Sequence, residues 1–267
     1  MRLIDIEYDG TKLSDLGFQL CTFDSASDVV VLGNELDMHE TRASKADSFY
    51  SIGAAYNNSL EYQFAICRNY CEEHETEYLT ENEINSIMRW INRKSYCKMR
   101  PIYDDGSFSD TFFMAAFNAE GVLGPLGLIG FNLTMKTNAP YGYRDPVTIT
   151  GTTSVTFNDI SDEMGTQVID LKVALQGSGT LELTNSFPGT RKTIVNNCLS
   201  GETITFTGKN RQIQTSNMAH DTIYNDFNYV FPAAYNNATS KANTITSSLP
   251  CQITVTYCPI RKVGVIF

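Results

Sequence analysis

TENEINSIMRWINRKSY, residues 80–96, predicts the one long α-helix of this sequence. Thr80 and Glu83 have the spacing of a capping box, in which each side chain bonds the backbone N–H of the other residue. The apolar residues that recur with the helical period are Ile84, Ile87, Met88 and Ile91. The helix is therefore expected to bury one face. Trp90 should lie at the edge of that face as a packing residue whose N–H finds a polar partner.

Length and composition around this helix indicate a globular protein of two domains. The chain has 267 residues, of which 42% are apolar and 19% charged. No run approaches the roughly 18 apolar residues that span a bilayer, so no membrane association is expected. The opening MRLIDIEYDG alternates apolar and charged residues like a strand and lacks the unbroken apolar core of a secretory signal, so no export is expected.

Charge and cysteine usage exclude several classes of partner. A net charge of −10 disfavours nucleic acid, because phosphate binding needs clustered Lys and Arg. Seven cysteines in an irregular pattern without C-x-x-C favour reduced thiols over a disulfide framework. The alternative is a zinc site built from Cys67, Cys71, His74 and Cys97. That spacing matches no standard zinc motif, so no metal and no cofactor is expected.

The first 140 residues predict a β-rich domain that contains the helix. The segment LEYQFAI, residues 60–66, alternates like a half-buried strand. Residues 33–59 before it are polar and poorly periodic, and a loop of that length in a compact domain is usually functional. We interpret residues 33–59 as an arm that contacts a partner.

The apolar stretch GVLGPLGLIGF, residues 121–131, predicts a hairpin, because four glycines and Pro125 break any helix. Two placements of Leu123 and Leu126 are open at this point. The two side chains either fold back into the core or form an exposed patch that a neighbouring subunit covers.

The sequence changes character after NAPYGYRDP, residues 138–146, whose prolines and glycine have the composition of a linker. We place the domain boundary there, giving domains of residues 1–140 and 141–267, and expect this connection to be the most exposed. From Val147 onward, short Thr- and Val-rich strands alternate with turn residues, the pattern of an antiparallel β-sandwich.

Catalytic motifs are not found in the sequence. It has no phosphate-binding glycine loop, nucleophile elbow or H-E-x-x-H helix, and its three histidines (His39, His74 and His220) are isolated in polar text. Asp104 and Asp105 are interpreted as turn-capping residues. The two catalytic carboxylates of a glycosidase have no fixed spacing in the sequence, so this class of enzyme cannot be recognised from spacing. We interpret the acidic residues at 72, 73, 75 and 77 as a solvated loop. No catalytic residue is assigned.

One aromatic run allows two interpretations. It comprises Tyr224, Phe227, Tyr229, Phe231 and Tyr235. On an open sheet face these rings could stack on sugars, which would make the protein a carbohydrate-binding adhesion module. We favour the other interpretation, in which Phe231 and its same-parity neighbours Phe227 and Tyr229 fill the sandwich core.

The order of features along the whole chain resembles the distal tail proteins of siphophages and prophages, which build the tail-tip or baseplate hub. In the first half the resemblance rests on IEYDG (6–10), MRWINRKSY (88–96) and FNLTMKTNAPYGY (131–143). In the second half it rests on GTLELTN (179–185), GETITFTGKNRQI (201–213), FPAAYNNATSKANTIT (231–246) and CQITVTYCP (251–259). Each motif alone is weak, and their order carries the resemblance.

The resemblance implies a mainly β fold: a β-rich ring (hub) domain with one α-helix, followed by a galectin-like antiparallel β-sandwich. It also implies a non-enzymatic hexameric ring that encloses the tail channel at the virion tail tip and is assembled in the bacterial cytoplasm. The implied partners are the tail tube protein, the tail-associated lysin or tail fibre hub, and the receptor-binding protein. The helix would brace the ring domain and leave Arg89 and Arg93 free for solvent or an acidic neighbour. The residues expected at the oligomer interface are Leu123, Leu126, Leu128, Ile129, Arg89 and Arg93.

Overall fold

The computed structural model describes residues 1–23, 33, 36–44, 47–56, 58–69, 78–187 and 189–265. They pack into two compact units. Unit 1 comprises Met1–Tyr143 and Arg261–Phe267, and unit 2 comprises Arg144–Ile260. Strands make up 54% of the chain and helices 9%, which confirms the mainly β fold class.

Unit 1 is built on one antiparallel sheet with a helix and a separate hairpin. Its strands are β1 (Leu3–Tyr8), β2 (Thr11–Lys12), β3 (Phe18–Cys21), β4 (Leu36–Thr41), β5 (Tyr50–Tyr56), β6 (Glu61–Arg68), β7 (Cys97–Tyr103), β8 (Thr111–Gly124) and β9 (Gly127–Thr137). The sheet has the order β2-β1-β7-β8-β9-β6-β3, whereas β4 and β5 pair only with each other.

The helix α1 spans Glu81–Ile91, as the sequence predicts, and begins with the expected capping box. The Thr80 hydroxyl accepts a hydrogen bond from the Glu83 N–H, and the Glu83 carboxylate accepts one from the Thr80 N–H at 2.7 Å. Ile87 and Ile91 are fully buried in the core of unit 1, and Ile84 and Met88 pack against it. The predicted buried face is confirmed.

Trp90 is a packing residue, as predicted. Its side chain is buried, and its indole N–H donates to the backbone oxygen of Tyr8 at 2.9 Å. The Tyr8 and Trp90 rings meet edge to face with centroids 5.9 Å apart. Trp90 therefore fastens the helix to strand β1 without leaving a buried donor unpaired.

A buried ion pair holds the start of the helix against strand β6. The buried Arg68 guanidinium donates to both carboxylate oxygens of Glu83 and to the backbone oxygen of Tyr78. Burial opposes ionisation of Glu83, but the hydrogen bonds from Arg68 and Thr80 outweigh it and lower the pKa of that carboxyl from 4.5 to about 2. The same carboxylate thus caps the helix and neutralises Arg68.

We expect the Glu83→Gln substitution to destabilise unit 1 by about 3 kcal/mol at pH 6, because it removes the carboxylate that pairs with the buried Arg68 guanidinium. A lowered pKa stabilises the fold above pH 4.5, and this contribution is lost as the pH falls towards 2. The difference between wild type and variant should therefore shrink over that window. Urea unfolding followed by fluorescence of Trp90, the single tryptophan, measures it. The exposed Glu81→Gln is the matched control, and a difference independent of pH would contradict the role of the pair.

Unit 2 is an antiparallel β-sandwich, as predicted. Its strands are β11 (Val147–Thr152), β12 (Ser154–Asn158), β13 (Gly165–Val168), β14 (Asp170–Leu175), β15 (Gly179–Asn185), β16 (Thr193–Cys198), β17 (Thr203–Thr207), β18 (Gln212–Thr215), β19 (Ala233–Asn236), β20 (Ala242–Ser247) and β21 (Cys251–Tyr257). The sheets β11-β21-β14-β17-β18 and β12-β20-β15-β16 contribute alternate residues to one core, and β13 pairs with β19. The four-residue helix α2 (Ile223–Asp226) was not predicted.

Threonine and serine dominate the outer faces of both sandwich sheets. Cross-strand hydroxyl pairs include Thr150 with Thr254 at 3.2 Å and Thr156 with Thr244 at 3.0 Å. The opposite parity of the same strands carries Val, Leu, Ile and Phe into the core. The strands were predicted from this alternation of outward polar and inward apolar residues.

The connection at residues 138–146 differs from the expectation of an exposed linker. Gly142 is buried, a Cβ there would come within 2.7 Å of the Phe113 ring, and most of the remaining residues are half-buried. Short strands β10 (Gly142–Arg144) and β22 (Ile260–Arg261) occur where the chain leaves and re-enters unit 1. Val265 is buried in the core of unit 1. The division into residues 1–140 and 141–267 stays a prediction.

Candidate oligomer interface

The predicted hairpin exists and is the longest in unit 1. Strands β8 and β9 pair from Ala115 opposite Thr137 to Gly124 opposite Gly127, so that Pro125 and Leu126 form a two-residue tip. Gly127 has a φ of +150°, a conformation that side chains rarely adopt, and a Cβ there would contact Tyr78 at 3.2 Å. The glycines of this stretch therefore build a tight tip.

Two of the predicted interface residues turn towards the hairpin itself. Leu128 is half-buried and packs against the core of unit 1, over Gly121, where a Cβ would lie 2.5 Å from its Cδ1 atom. Ile129 is also half-buried and lies over Gly124, where a Cβ would be 2.8 Å from the Cγ2 atom of Ile129. The side chains of Leu128 and Ile129 are thus largely covered by other residues of the same subunit.

The other two leucines are exposed. Leu123 is 78% and Leu126 68% exposed, and the exposed Tyr78 lies beside the tip at Gly127. The Leu79 N–H donates to the Leu128 oxygen at 2.7 Å, so the chain entering the helix is fixed to the hairpin. We name Tyr78, Leu123 and Leu126 the hairpin patch. Of the two placements open from the sequence, the exposed one is observed.

The two arginines of the predicted interface lie elsewhere. Arg89 is exposed. It lies about 14 Å along the helix axis from Thr80, because each helical residue advances the chain by about 1.5 Å. Arg93 was expected to meet solvent or an acidic neighbour, and its guanidinium pairs with Asp9 of the same subunit at 3.1 Å. Both partners are substantially exposed, so this pair adds little stability. The arginines and the hairpin patch therefore form separate surfaces.

The described part of the expected arm is a two-stranded hairpin, which sequence reasoning missed. Strands β4 and β5 pair with Leu36 opposite Tyr56 and Met38 opposite Ala54, which puts these side chains on one face. Every residue of the two strands is exposed except the half-buried Tyr56, and Ile52 is 73% exposed. A two-stranded ribbon with an uncovered apolar face is marginally stable by itself. The ladder contains a bulge in β5, where Ile52 is the extra residue between the pairs His39–Gly53 and Glu40–Ser51.

The aromatic run of unit 2 is split between core and surface. Phe227 is buried and Phe231 packs against the core, which agrees with the core interpretation. Tyr229 does not: its φ is +58°, which breaks the strand alternation and leaves it 68% exposed. Tyr224 is exposed on α2 and Tyr235 is half-buried on β19. The outward residues of the sandwich strands are mostly Thr and Ser, so within the described part of unit 2 no row of rings forms on either sheet face.

The one histidine with acidic neighbours in the described residues is unsuited to general base catalysis. His220 is 4% exposed, its Nδ1 lies 2.7 Å from Glu202 and its Nε2 3.3 Å from Asp226. Because both ring nitrogens face carboxylates, neither can reach a nucleophile. His39 is exposed on β4, and His74 lies outside the described residues. Asp105 accepts the Ser107 N–H at 3.0 Å, the turn-capping role predicted for it.

Metal-ligating groups are not assembled in the part of the chain that the structure describes. Cys67 on β6 and Cys97 on β7 are three strands apart, or about 14 Å, too far to share one ion. Cys71, His74 and the acids at 72, 73, 75 and 77 lie outside the described residues. Among the residues that are described, no helix combines the length and apolar character needed to cross a membrane.

Comparison with known proteins gives two family matches, and solved structures of similar fold, over most of the chain. The family model described as "Phage tail protein N-terminal domain" matches residues 1–139, and "Phage tail C-terminal domain" matches residues 141–257. A solved structure of SPP1 Dit (gp 19.1) is similar with a TM-score of 0.66 and 12% identity, covering 96% of this chain and 99% of that one. No curated protein sequence matches.

Proposed function

The chain belongs to the phage tail protein family, and from this premise we propose that it is the distal tail subunit, six copies of which form a ring hub at the tail tip. The expected relationship to distal tail proteins is confirmed by the two family matches and by the Dit-like fold. The hub would join the tail tube to the baseplate and the host-adsorption apparatus. Its role is structural, with no reaction assigned to it.

The similarity to SPP1 Dit supports the hub role. That protein is described as a paradigm of the hub adsorption apparatus in phages that infect Gram-positive bacteria. The two folds match over nearly the full length of both chains. A galectin-like sandwich in unit 2 is part of this proposal.

The observation that carries the ring proposal is the apolar surface that unit 1 leaves uncovered. The hairpin patch and the apolar face of the β4–β5 hairpin both face solvent in a single subunit. Contiguous exposed apolar side chains mark interaction surfaces in soluble proteins. A ring repeats one heterologous contact around its axis, so it can cover two different surfaces of each subunit at once.

The other proposed partners follow from a place at the tail tip. These are the tail tube protein on one side of the ring and the tail-associated lysin or tail fibre hub on the other, with the receptor-binding protein at the periphery. The proposed location is the virion tail tip, with assembly in the bacterial cytoplasm before release. No nucleic acid or membrane contact is required by this role.

Size exclusion with light scattering tests the ring. We expect a species of six times the 29.8 kDa subunit mass at high protein concentration, or after addition of the adjacent tail proteins. Negative-stain images of that species should show six-fold symmetry. A strict monomer under every condition, including with the adjacent tail proteins, would contradict the hub proposal.

A further inference from the structure

Two cysteines of unit 1 lie close together on neighbouring strands. The antiparallel register of β3 and β6 puts Cys21 opposite Ala65 and Cys67 opposite Gln19. Residues two apart in a strand point to the same face, so the two thiols lie on one face of the sheet at diagonal positions. The thiols of Cys21 and Cys67 form a hydrogen bond with each other. The two sulfur atoms are therefore in contact while both cysteines are free thiols.

The two thiols differ in their access to solvent. Cys21 is half-buried, whereas Cys67 is 3% exposed and its sulfur accepts a hydrogen bond from the Gln19 amide at 3.9 Å. Burial raises the pKa of Cys21, and the adjacent Cys67 raises it further, so the reactive thiolate is scarce and oxidation is slow. A small oxidant reaches Cys21 first, and Cys67 is placed to react with the product.

The position of β3 in the sheet allows the two sulfur atoms to approach. A disulfide forms without backbone movement only where the two Cα atoms lie within about 7 Å. Diagonal positions on neighbouring strands are close to that limit. In the sheet as described, β3 is an edge strand that pairs with β6 alone, so a small shift of β3 breaks no second ladder. The edge position therefore makes a bond between Cys21 and Cys67 feasible.

The pair also encloses the part of unit 1 that carries the exposed β4–β5 hairpin. Residues 22–66 connect the two cysteines, and both β4 and β5 lie within them. A covalent bond between Cys21 and Cys67 would join the two ends of this segment. Closing a loop of that length reduces the conformational freedom of the unfolded chain, which stabilises the folded state.

We propose that Cys21 and Cys67 form a redox pair, which is reduced in the cytoplasm and closes to a disulfide in an oxidising medium. With glutathione disulfide as the oxidant, the Cys21 thiolate attacks one sulfur atom of that molecule and releases the first glutathione. The Cys67 thiolate then attacks the Cys21 sulfur and releases the second. The two protein thiols lose two electrons and two protons, and the two glutathione thiols gain them.

The disulfide would fasten the ends of the segment that carries the β4–β5 hairpin after the protein has left the reducing cytoplasm. This role rests on the proposed function, in which the subunit assembles inside the cell and acts in a released virion. The chemistry of the pair does not depend on that role, because both cysteines lie in unit 1 of one subunit. The oxidation can therefore be measured whether or not a ring forms.

Peptide mapping by mass spectrometry with the full chain tests the proposal. The reduced protein is incubated with glutathione disulfide at about pH 8, where thiolates are more abundant, and the remaining thiols are then blocked with N-ethylmaleimide. We expect two of the seven cysteines to escape blocking and a peptide that links Cys21 to Cys67. Dithiothreitol should reverse the change. Oxidation should also raise the unfolding temperature of unit 1, followed by Trp90 fluorescence, by about 10 °C.

Single substitutions identify the pair. Cys21→Ser should abolish both the linked peptide and the rise in unfolding temperature. The matched control is Cys97→Ser, because Cys97 is also half-buried in the same sheet but its thiol donates to the Ser95 oxygen at 3.6 Å. That variant should oxidise as the wild type does.

The proposal is overturned if no linked peptide forms, if Cys67 links to a different cysteine, or if glutathione remains attached to Cys21. It is also overturned if Cys97→Ser has the same effect as Cys21→Ser. Light scattering of the reduced protein measures the ring separately. A linked pair in a protein that stays monomeric would therefore support the redox pair and contradict the hub, and a hexamer without the link would do the reverse.

Discussion

The Ile87→Asp substitution is expected to unfold unit 1. Ile87 is 0% exposed on the inner face of α1, so the new carboxylate would lie in the core without a partner. The resulting loss exceeds about 5 kcal/mol, which is comparable to the whole stability of an ordinary domain. Trp90 is the only tryptophan and lies in unit 1, so its fluorescence reports this unit separately from the sandwich.

The matched control for Ile87→Asp is Arg89→Ser on the outer face of the same helix. Arg89 is exposed, and its substitution should cost under about 0.5 kcal/mol in the monomer. Thermal melts followed by Trp90 fluorescence and by circular dichroism compare the two variants. Equally mild effects would mean that the helix does not brace the sheet.

The second large effect is expected from Leu123→Lys combined with Leu126→Lys. Both side chains are exposed, so the folded subunit should be unaffected, whereas two charges in a ring contact would be buried without partners. We expect the mass measured by light scattering to fall from a hexamer to a monomer. Leu128 and Ile129 are less suitable positions, because both are half-buried within the subunit.

Met218→Lys provides the control for that variant. Met218 is an apolar residue that is 92% exposed in unit 2, and its substitution introduces a comparable charge. The ring should persist in Met218→Lys. A hexamer that persists in the leucine variant as well would remove the hairpin patch from the interface and leave the β4–β5 hairpin as the surface to test.

Features formed by residues that are close together in the sequence could be predicted from the sequence alone. The capping box joins Thr80 to Glu83, and the buried apolar residues of the helix recur every three or four positions. Both features therefore lie within the 12 consecutive residues 80–91. The sandwich strands alternate with a period of two, and the β8–β9 hairpin is punctuated by glycines. These patterns depend on local geometry, which is why the structure confirms them.

Features that depend on residues distant in the sequence were missed or misread. The sequence did not identify the acidic partner of Arg93, which is Asp9, more than 80 residues earlier. His220 looked isolated, yet strand pairing and α2 bring Glu202 and Asp226 to its two nitrogens. The hairpin in residues 36–56 was not predicted, and its pairing includes a bulge at Ile52 of β5. The interpretation of residues 138–146 as a linker overlooked a short strand whose first residue, Gly142, is buried next to Phe113.

The sequence by itself determined the long helix α1, the sandwich strands and the β8–β9 hairpin, because capping, periodicity and turn chemistry act within a few residues. Only the tertiary structure decided which apolar residues remain outside the core. Leu128 and Leu123 are both leucines of one hairpin, yet the first packs over Gly121 and the second faces solvent. The same holds for Arg89 and Arg68, one exposed on the outer face of α1 and the other buried against Glu83. Burial and pairing are set by the neighbours that folding brings together, and the surface left uncovered is where partners can bind.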